Sequence, residues 1–230
     1  MRRTIIRYCI GLLVIPAAVV LVGRTAAATV TASAVALPAP VVDAPLARAP
    51  GEATAIFAGG CFWGIEAVFE HVKGVKSATS GYTGGRTPSP TYQQIGTGSS
   101  GHAEAVSIVY DPSRVTYGQL LRIFFSVAHD PTQLNRQGPD VGTQYRSAIF
   151  YADDDQKRIA SAYVDQIAKG RFFSRPIVTQ LTALKKFHIA EEYHQEYAAL
   201  HPNDLYIRIH DAPKVEQLKR NFKQFYIERR

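Results

Sequence analysis

Sulfur is scarce in this chain. Of its 230 residues, two are cysteine, Cys9 and Cys61, and one is methionine, Met1. Cys9 lies in an N-terminal leader, so a processed chain carries one thiol and forms no internal disulfide. Such a chain also carries no methionine; this is either an adaptation to an oxidising setting or drift in an alanine-rich composition. Excess charge is lacking too. The formal net charge is +7, but the first 28 residues hold Arg2, Arg3, Arg7 and Arg24 and no acid. Without them 22 basic residues face 19 acidic ones, a net charge of +3 that makes no case for nucleic-acid binding. No internal repeat is visible. No Gly-Lys-Ser/Thr follows the glycine-rich stretch near Gly84-Gly85, so that stretch is not a phosphate cradle.

What is present divides into three parts. Residues 1–28 run from a basic start through an apolar segment, Tyr8 to Gly23, to small residues with an A-x-A pattern at Ala26-Ala27-Ala28. This is the layout of a secretory signal peptide. The apolar run is short for a spanning helix and Pro16 interrupts it. The expected location is therefore exported, periplasmic, with anchoring by an uncleaved leader as the alternative. Residues 29–51 are rich in Ala, Pro and Val and have no helical period, which predicts a disordered tether. Residues 52–230 are globular in composition; with 46% hydrophobic residues, 12 Tyr and 11 Phe, the chain can build a substantial core.

The pattern in the globular part predicts strands at Thr54–Ala58, Val75–Tyr82, His102–Tyr110, Tyr145–Ala152 and Ile177–Leu184. Helices are expected from about Cys61, over Thr116–Ala128, over Asp153–Lys169 and over Ala190–Leu200. The tail from Asp204 reads as irregular apart from a turn or two near Pro213–Phe222. The order β-α-β-β-α-β-α-β predicts an α+β fold: a two-layer α/β sandwich with a ferredoxin-like core and helices on one face of a mixed sheet.

The chemistry centres on Gly59-Gly60-Cys61-Phe62-Trp63-Gly64. A thiol at a strand-to-helix turn faces the helix N-terminus, whose free N–H groups and dipole favour the thiolate. The glycines permit the sharp turn and leave the sulfur accessible. By itself the stretch fits equally a reactive thiol or an inert cysteine in an aromatic core. Glu104, in Gly101-His102-Ala103-Glu104-Ala105-Val106, is either solvated on an outer strand face or buried with a raised pKa. Asp140 and Tyr145 lie in a glycine-punctuated loop where turn chemistry alone would account for them. Glu191 with His194, and His188 with Glu192, have spacings seen in metal sites, but no surrounding motif supports one and a polar surface face explains both. A papain-like hydrolase is a further reading, with His188, His194, His201 and Asn203 downstream of Cys61, but the second cysteine of that signature is missing.

Taken together, Gly60-Cys61-Phe62-Trp63-Gly64, Gly81-Tyr82-Thr83-Gly84-Gly85, Pro90-Thr91-Tyr92, Gly101 to Val106, Gly142-Thr143-Gln144-Tyr145-Arg146-Ser147 and Ala190-Glu191-Glu192-Tyr193-His194-Gln195 resemble the peptide methionine sulfoxide reductase A family. The resemblance runs in order from about Ala53 to Leu200. It implies reduction of methionine-S-sulfoxide, free or in proteins, by a monomer without cofactor or metal. It implies Cys61 as nucleophile, Glu104 as acid, and Tyr92, Tyr145 and Asp140 as the groups that position the sulfoxide oxygen and a water. Phe62 and Trp63 would form the pocket for the substrate methyl group. Many members carry resolving cysteines in the tail, whereas Ser174 to Arg230 has none here. Recycling by an external thiol is therefore expected, from a thioredoxin-like protein or a small thiol. The tail Asp204 to Asp211 is expected to pack where a cysteine-bearing tail would lie.

Overall fold

The computed structural model describes residues 36–229. The leader, with Cys9 and the proposed cleavage site, lies outside the described residues. In chain order the elements are β1 (Ala53–Ala58), α1 (Phe62–Glu70), β2 (Val75–Thr83), α2 (Tyr92–Gly96) and β3 (Ala103–Tyr110). Next come α3 (Tyr117–Ile123), which continues as a π-helical turn over Phe124–Ala128, and the short hairpin β4 (Arg136–Gln137) and β5 (Asp140–Val141). A 3₁₀ turn at Thr143–Tyr145 leads to β6 (Ala148–Tyr151), α4 (Asp154–Lys169), β7 (Gln180–Ala183) and β8 (Phe187–Ile189). After a 3₁₀ turn at Glu192–His194 come α5 (Tyr197–Leu200), a π turn at Ile207–Asp211 and α6 (Ala212–Asn221).

The six-stranded sheet has the order β7-β6-β1-β3-β2-β8. Its β6–β7 pair is parallel and the others are antiparallel. The central four, β6-β1-β3-β2, with α1 and α3 in the crossovers, form the split β-α-β core that the element order predicted. Side-chain alternation sorts the two faces. Ala55 and Phe57 of β1, Val106 and Ile108 of β3 and Ile149 of β6 join α1, α3 and α4 in the main core. Ile56, Ala58, Ala103, Ala105, Ala148 and Phe150 form a thin opposite face under Leu184 and Phe187. Phe57 is the hub of the main core: its ring stacks on Phe124 at 4.9 Å and meets Phe69 at 5.7 Å and Tyr117 at 6.0 Å.

Three expectations change. Residues 36–51 do not run free. Leu37 is buried, its N–H donates to Ser126 Oγ at 3.1 Å, and its carbonyl accepts from Arg122 Nε at 2.6 Å. The hydroxyl of Tyr163 donates to the Pro38 carbonyl at 3.0 Å, and Gln166 bonds the backbone of both Ala39 and Val41 at 2.8 Å. The Asp43 carboxylate accepts from Gly118 N at the start of α3. Proline-rich backbone has unspent carbonyls, and side chains of α3 and α4 take them up; composition does not show this. Second, the helix expected over Ala190–Leu200 is broken, because Glu196 adopts a left-handed φ of 54°. Third, the tail is more regular than expected. Its α6 carries Leu218, and Phe222 follows; both are fully buried. Near the end of the described chain, Ile227 N donates to His71 O at 2.9 Å, which ties the tail to the turn after α1.

Candidate active site

Chain geometry brings Cys61 to the N-terminus of α1. Gly60 has φ +102°, a left-handed conformation that side chains disfavour, and a Cβ there would lie 2.6 Å from the Gln137 side chain. At Gly59 a Cβ would lie 2.7 Å from the His129 ring, so the turn after β1 passes directly over that buried histidine. Cys61 is the residue that caps α1. The expected accessible, ready-made thiolate is not what this turn produces. Cys61 is 8% exposed. Burial pushes its thiol well above the ordinary range, and the carboxylates of Glu104 and Asp211 push the same way. The nearby Trp63 amide and the Lys214 charge pull the other way, but these two together do not outweigh burial. The resting state is a protonated thiol.

Glu104 resolves the choice between solvated and buried in favour of burial. It sits on β3 opposite Tyr82 of β2 and is 2% exposed. Its Oε2 accepts the Phe62 amide at 3.2 Å, next to Cys61 in the chain. Burial raises its pKa to about 8, moderated by the Phe62 hydrogen bond and assisted by Asp140. At neutral pH the carboxyl is mostly protonated, which also removes one of the charges that oppose a thiolate on Cys61.

The remaining expected residues converge on the same place. Tyr92 opens α2, which a Thr91–Gln94 capping box starts. Tyr145 ends the 3₁₀ turn after β5, and Asp140 lies on β5. Burial first, then the charges of Glu104, Asp140 and Cys61, raise the Tyr92 hydroxyl to about 12 and push that of Tyr145 up as well. Both phenols therefore remain O–H donors at neutral pH. Phe62 is buried with its ring 5.8 Å from Tyr82, and Trp63 lies flat on Tyr197 at 3.8 Å.

Four further residues complete the arrangement. Tyr206 of the tail meets Trp63 edge-on at 6.0 Å and donates its hydroxyl to Asp140 Oδ2 at 2.5 Å. Tyr197 supplies the stacking face for Trp63. His194 is not on a polar surface: it is 1% exposed, with Phe62 at 5.0 Å and Tyr92 at 4.4 Å. Burial lowers its pKa, so it sits in the wall as a neutral ring. Glu191 accepts from Tyr92 N at 2.9 Å and from Tyr82 Oη at 2.8 Å, joining β2, α2 and the segment after β8. The spacing of Glu191 and His194 was the available signal, and it points to a shared task once both are seen beside Tyr92. Nothing in the spacing marks Tyr197 or Tyr206. Among the described residues no three His, Cys, Asp or Glu side chains converge as a metal site.

A buried thiol near a protonated carboxyl, with two phenol donors and an aromatic wall, can deliver a nucleophile to one atom of a polar substrate bond and a proton to the other. Comparison with known proteins names the family with this arrangement of motifs. The family model for peptide methionine sulfoxide reductase matches residues 53–226. The chain belongs to the peptide methionine sulfoxide reductase A family. Over 181 residues it is 58% identical to peptide methionine sulfoxide reductase MsrA 2 of Mesorhizobium japonicum, covering 79% of this chain and 93% of that one. With MsrA 2 of Synechocystis it shares 48% identity over 188 residues, 81% of this chain and 88% of the other. Among solved structures, methionine sulfoxide reductase A of Corynebacterium diphtheriae superposes with a TM-score of 0.58 at 36% identity, covering 74% of this chain and 84% of that one. Mxr1 of Saccharomyces cerevisiae in reduced form gives a TM-score of 0.59 at 31% identity, covering 71% and 92%. The protein is thus an oxidoreductase that reduces methionine sulfoxide, an activity of protein repair, and its α+β sandwich is the fold of these reductases.

Proposed function

We propose that the reductase acts on the S epimer of methionine sulfoxide, free or in proteins, with Cys61 as the nucleophile and Glu104 as the acid. The observation that carries this reading is the Glu104 carboxyl, 2% exposed, raised to about 8 and held at 3.2 Å on the amide next to Cys61. A sulfoxide sulfur is a poor electrophile until its oxygen is protonated. In the proposed step the substrate methyl group rests against Phe62 and Trp63. Its oxygen accepts from Tyr92, Tyr145 and the Glu104 acid, with Asp140 orienting a water. The proton of Glu104 passes to the oxygen as the Cys61 sulfur attacks the sulfoxide sulfur and forms an S–S bond. The thiol proton also goes to the oxygen, the S–O bond breaks and the oxygen leaves as water. A water then attacks the Cys61 sulfur, the S–S bond breaks with its electron pair going to the departing methionine, and the proton released by that water restores Glu104; Cys61 is left as a sulfenic acid. Cysteine is oxidised by two electrons and the sulfoxide is reduced by two.

An external thiolate then attacks the sulfenic sulfur and releases water, and a second thiol resolves the mixed disulfide. The absence of cysteine from 62–230 favours this external route, with a thioredoxin-like protein or small thiol as reductant. The basic, apolar and small-residue leader favours a periplasmic site of action; fractionation and the intact mass of the isolated protein test that assignment.

The deciding experiment supplies each resolved epimer of methionine sulfoxide with dithiothreitol and measures methionine. The S epimer alone should turn over. Absence of S-epimer turnover, or equal use of both epimers, overturns the reading.

A further inference from the structure

The tail buries an ion pair against the first turn of α1, the helix that Cys61 begins, and the reaction described above does not use it. Asp211 closes the π turn before α6, and Lys214 lies in the first turn of α6. Asp211 is fully buried and accepts from Lys214 Nζ at 3.0 Å, while its Oδ2 has no partner. Lys214 is largely shielded, with 18% of its side chain exposed. The pair rests on the bare Cα of Gly64, in the first turn of the helix that Cys61 caps. Any Cβ at Gly64 would overlap Asp211 Oδ1 and Lys214 Nζ. A buried ion pair is weak evidence for stability, because desolvation of both ions offsets their attraction. A half-satisfied carboxylate is worse still. The position, not the strength, of this pair needs explaining.

Its surroundings explain it. Cys61 is faced by Glu104 from β3, by Tyr92 from α2, by Tyr145 from the turn after β5, and by Tyr197 and Tyr206 from the segments that cover Trp63. His129 beneath Gly59 is held neutral by burial, with a pKa of about 4. Every ionisable group in this set is acidic or uncharged except Lys214, whose charge acts on both Cys61 and His129. A thiolate forming here has no other side-chain cation in the set to meet it.

We propose that Lys214 and Asp211 are positioning residues for Cys61: Asp211 fixes the Lys214 ammonium against the first turn of α1, where it supports the thiolate as it attacks. This rests on the reading of Cys61 as the nucleophile. The pair shifts charge balance only; no proton or electron is exchanged with it. Asp211 opposes the thiolate directly and serves it indirectly, so the two residues have opposite effects on the thiol although they share one contact.

The opposition of sign is the test. Iodoacetamide alkylation of the full chain is followed across neutral to alkaline pH by mass spectrometry of the Cys61 peptide, with thermal melting as the control for folding. Lys214→Met should move the profile to higher pH and slow alkylation near neutrality by roughly tenfold, as for loss of a nearby opposite charge. Asp211→Asn should move it to lower pH and speed alkylation. Lys214→Arg should restore most of the wild-type profile. Should a single variant fail to fold, the double variant Asp211→Asn/Lys214→Gln keeps a neutral hydrogen-bonded pair and should shift less than tenfold in either direction. A purely structural pair would loosen the tail and expose the thiol in both single variants, moving both profiles the same way. That result, an unchanged profile in folded variants, or a larger shift in the double variant overturns the proposal. Alkylation needs no sulfoxide, so failure here leaves the reductase mechanism standing, and failure of sulfoxide turnover leaves this measurement intact.

Discussion

Glu104 Oε2 accepts the amide of Phe62 at 3.2 Å, which fixes a buried acid against the residue that follows the thiol. Glu104→Gln keeps the shape and one acceptor but removes the proton. The chemical step should fall by roughly a hundredfold or more, the usual cost of losing a general acid. Single-turnover release of methionine measures this. Near-wild-type rates would refute the acid role. In the wild type, the limb of the rate profile that depends on Glu104 should fall as pH rises through about 8, where the acid ionises. Glu104→Gln should lose that limb.

The same burial has a stability consequence. Glu104 rises from 4.5 to about 8 on folding, so between these values the native state holds a proton that the unfolded chain has released. Stability from this group is full below 4.5 and is lost as pH rises through 8. Glu104→Gln should therefore be more stable than wild type at alkaline pH, by up to about 5 kcal/mol, and show little difference in acid. Denaturant titrations at the two extremes decide it. An acid that is costly to bury and useful for the reaction fits a trade of stability for function.

Much of this was legible in the chain. Cys61 follows a strand and two glycines and precedes a helical run of Phe62, Ile65 and Phe69, and the turn forms there. Glu104 shares strand parity with Val106 and Ile108, and those two enter the main core. Parity grouped the carboxyl with those two residues, but spacing alone favours the solvated face, the ordinary fate of a strand glutamate; its burial is seen only in the fold. What was not legible depends on distant partners. Tyr206 meets Asp140 only because the π turn and α6 fold back over α1. Cys61 is buried and faces carboxylates of both β3 and the tail, so a helix N-terminus read in isolation overstates the thiolate. The ordering of residues 36–51 depends on Arg122, Tyr163 and Gln166, which periodicity marks only as helix positions.

Glu191 ties Tyr92 to Tyr82 through one carboxylate. Glu191→Ala leaves the buried Tyr82 hydroxyl and the Tyr92 amide without that acceptor. The expected loss is about 1–3 kcal/mol in denaturant unfolding, with a roughly tenfold lower kcat from a displaced phenol. Glu191→Gln retains one acceptor oxygen and should recover much of both. Equal damage in the two variants would show that charge, not the pair of hydrogen bonds, is what Glu191 provides.

Residues 36–51 make a testable claim about stability alone. Leu37 is buried among residues of the helix-side core. Leu37→Ala should cost about 2–4 kcal/mol, and Asp43→Ala should cost about 1 kcal/mol through loss of its bonds at the start of α3. Neither variant should change the rate of the chemical step at a temperature where it remains folded. No change in melting for either would return this stretch to the status of a tether.

The phenol donors should behave as a set. Tyr92→Phe or Tyr145→Phe alone should slow the chemical step by about tenfold or less, because the other donor and Glu104 still meet the oxygen. The double variant should lose more than the product of the two single losses, since residues acting on one atom are not additive. Tyr206→Phe removes only the bond to Asp140 and should fall in the range of the single variants. Strict multiplicativity would mean that the two phenols act on different atoms or at different steps.

Recycling is decided by the count of thiols. If processing removes Cys9, one turnover without reductant should release one methionine per enzyme and consume the only thiol left. The product should carry one added oxygen on Cys61, trapped by a dimedone reagent, with no disulfide within the chain. Burial of Cys61 at 8% exposure should protect that sulfenic acid from further oxidation better than from a small thiol that fits the pocket. Adding dithiothreitol or a reduced thioredoxin-like protein should then restore the thiol through a mixed disulfide. An oxidised enzyme lighter by two hydrogens, with no trappable sulfenic acid, would show instead that the leader stays on and that Cys9 resolves the intermediate. That outcome would overturn both the external route and the processed chain.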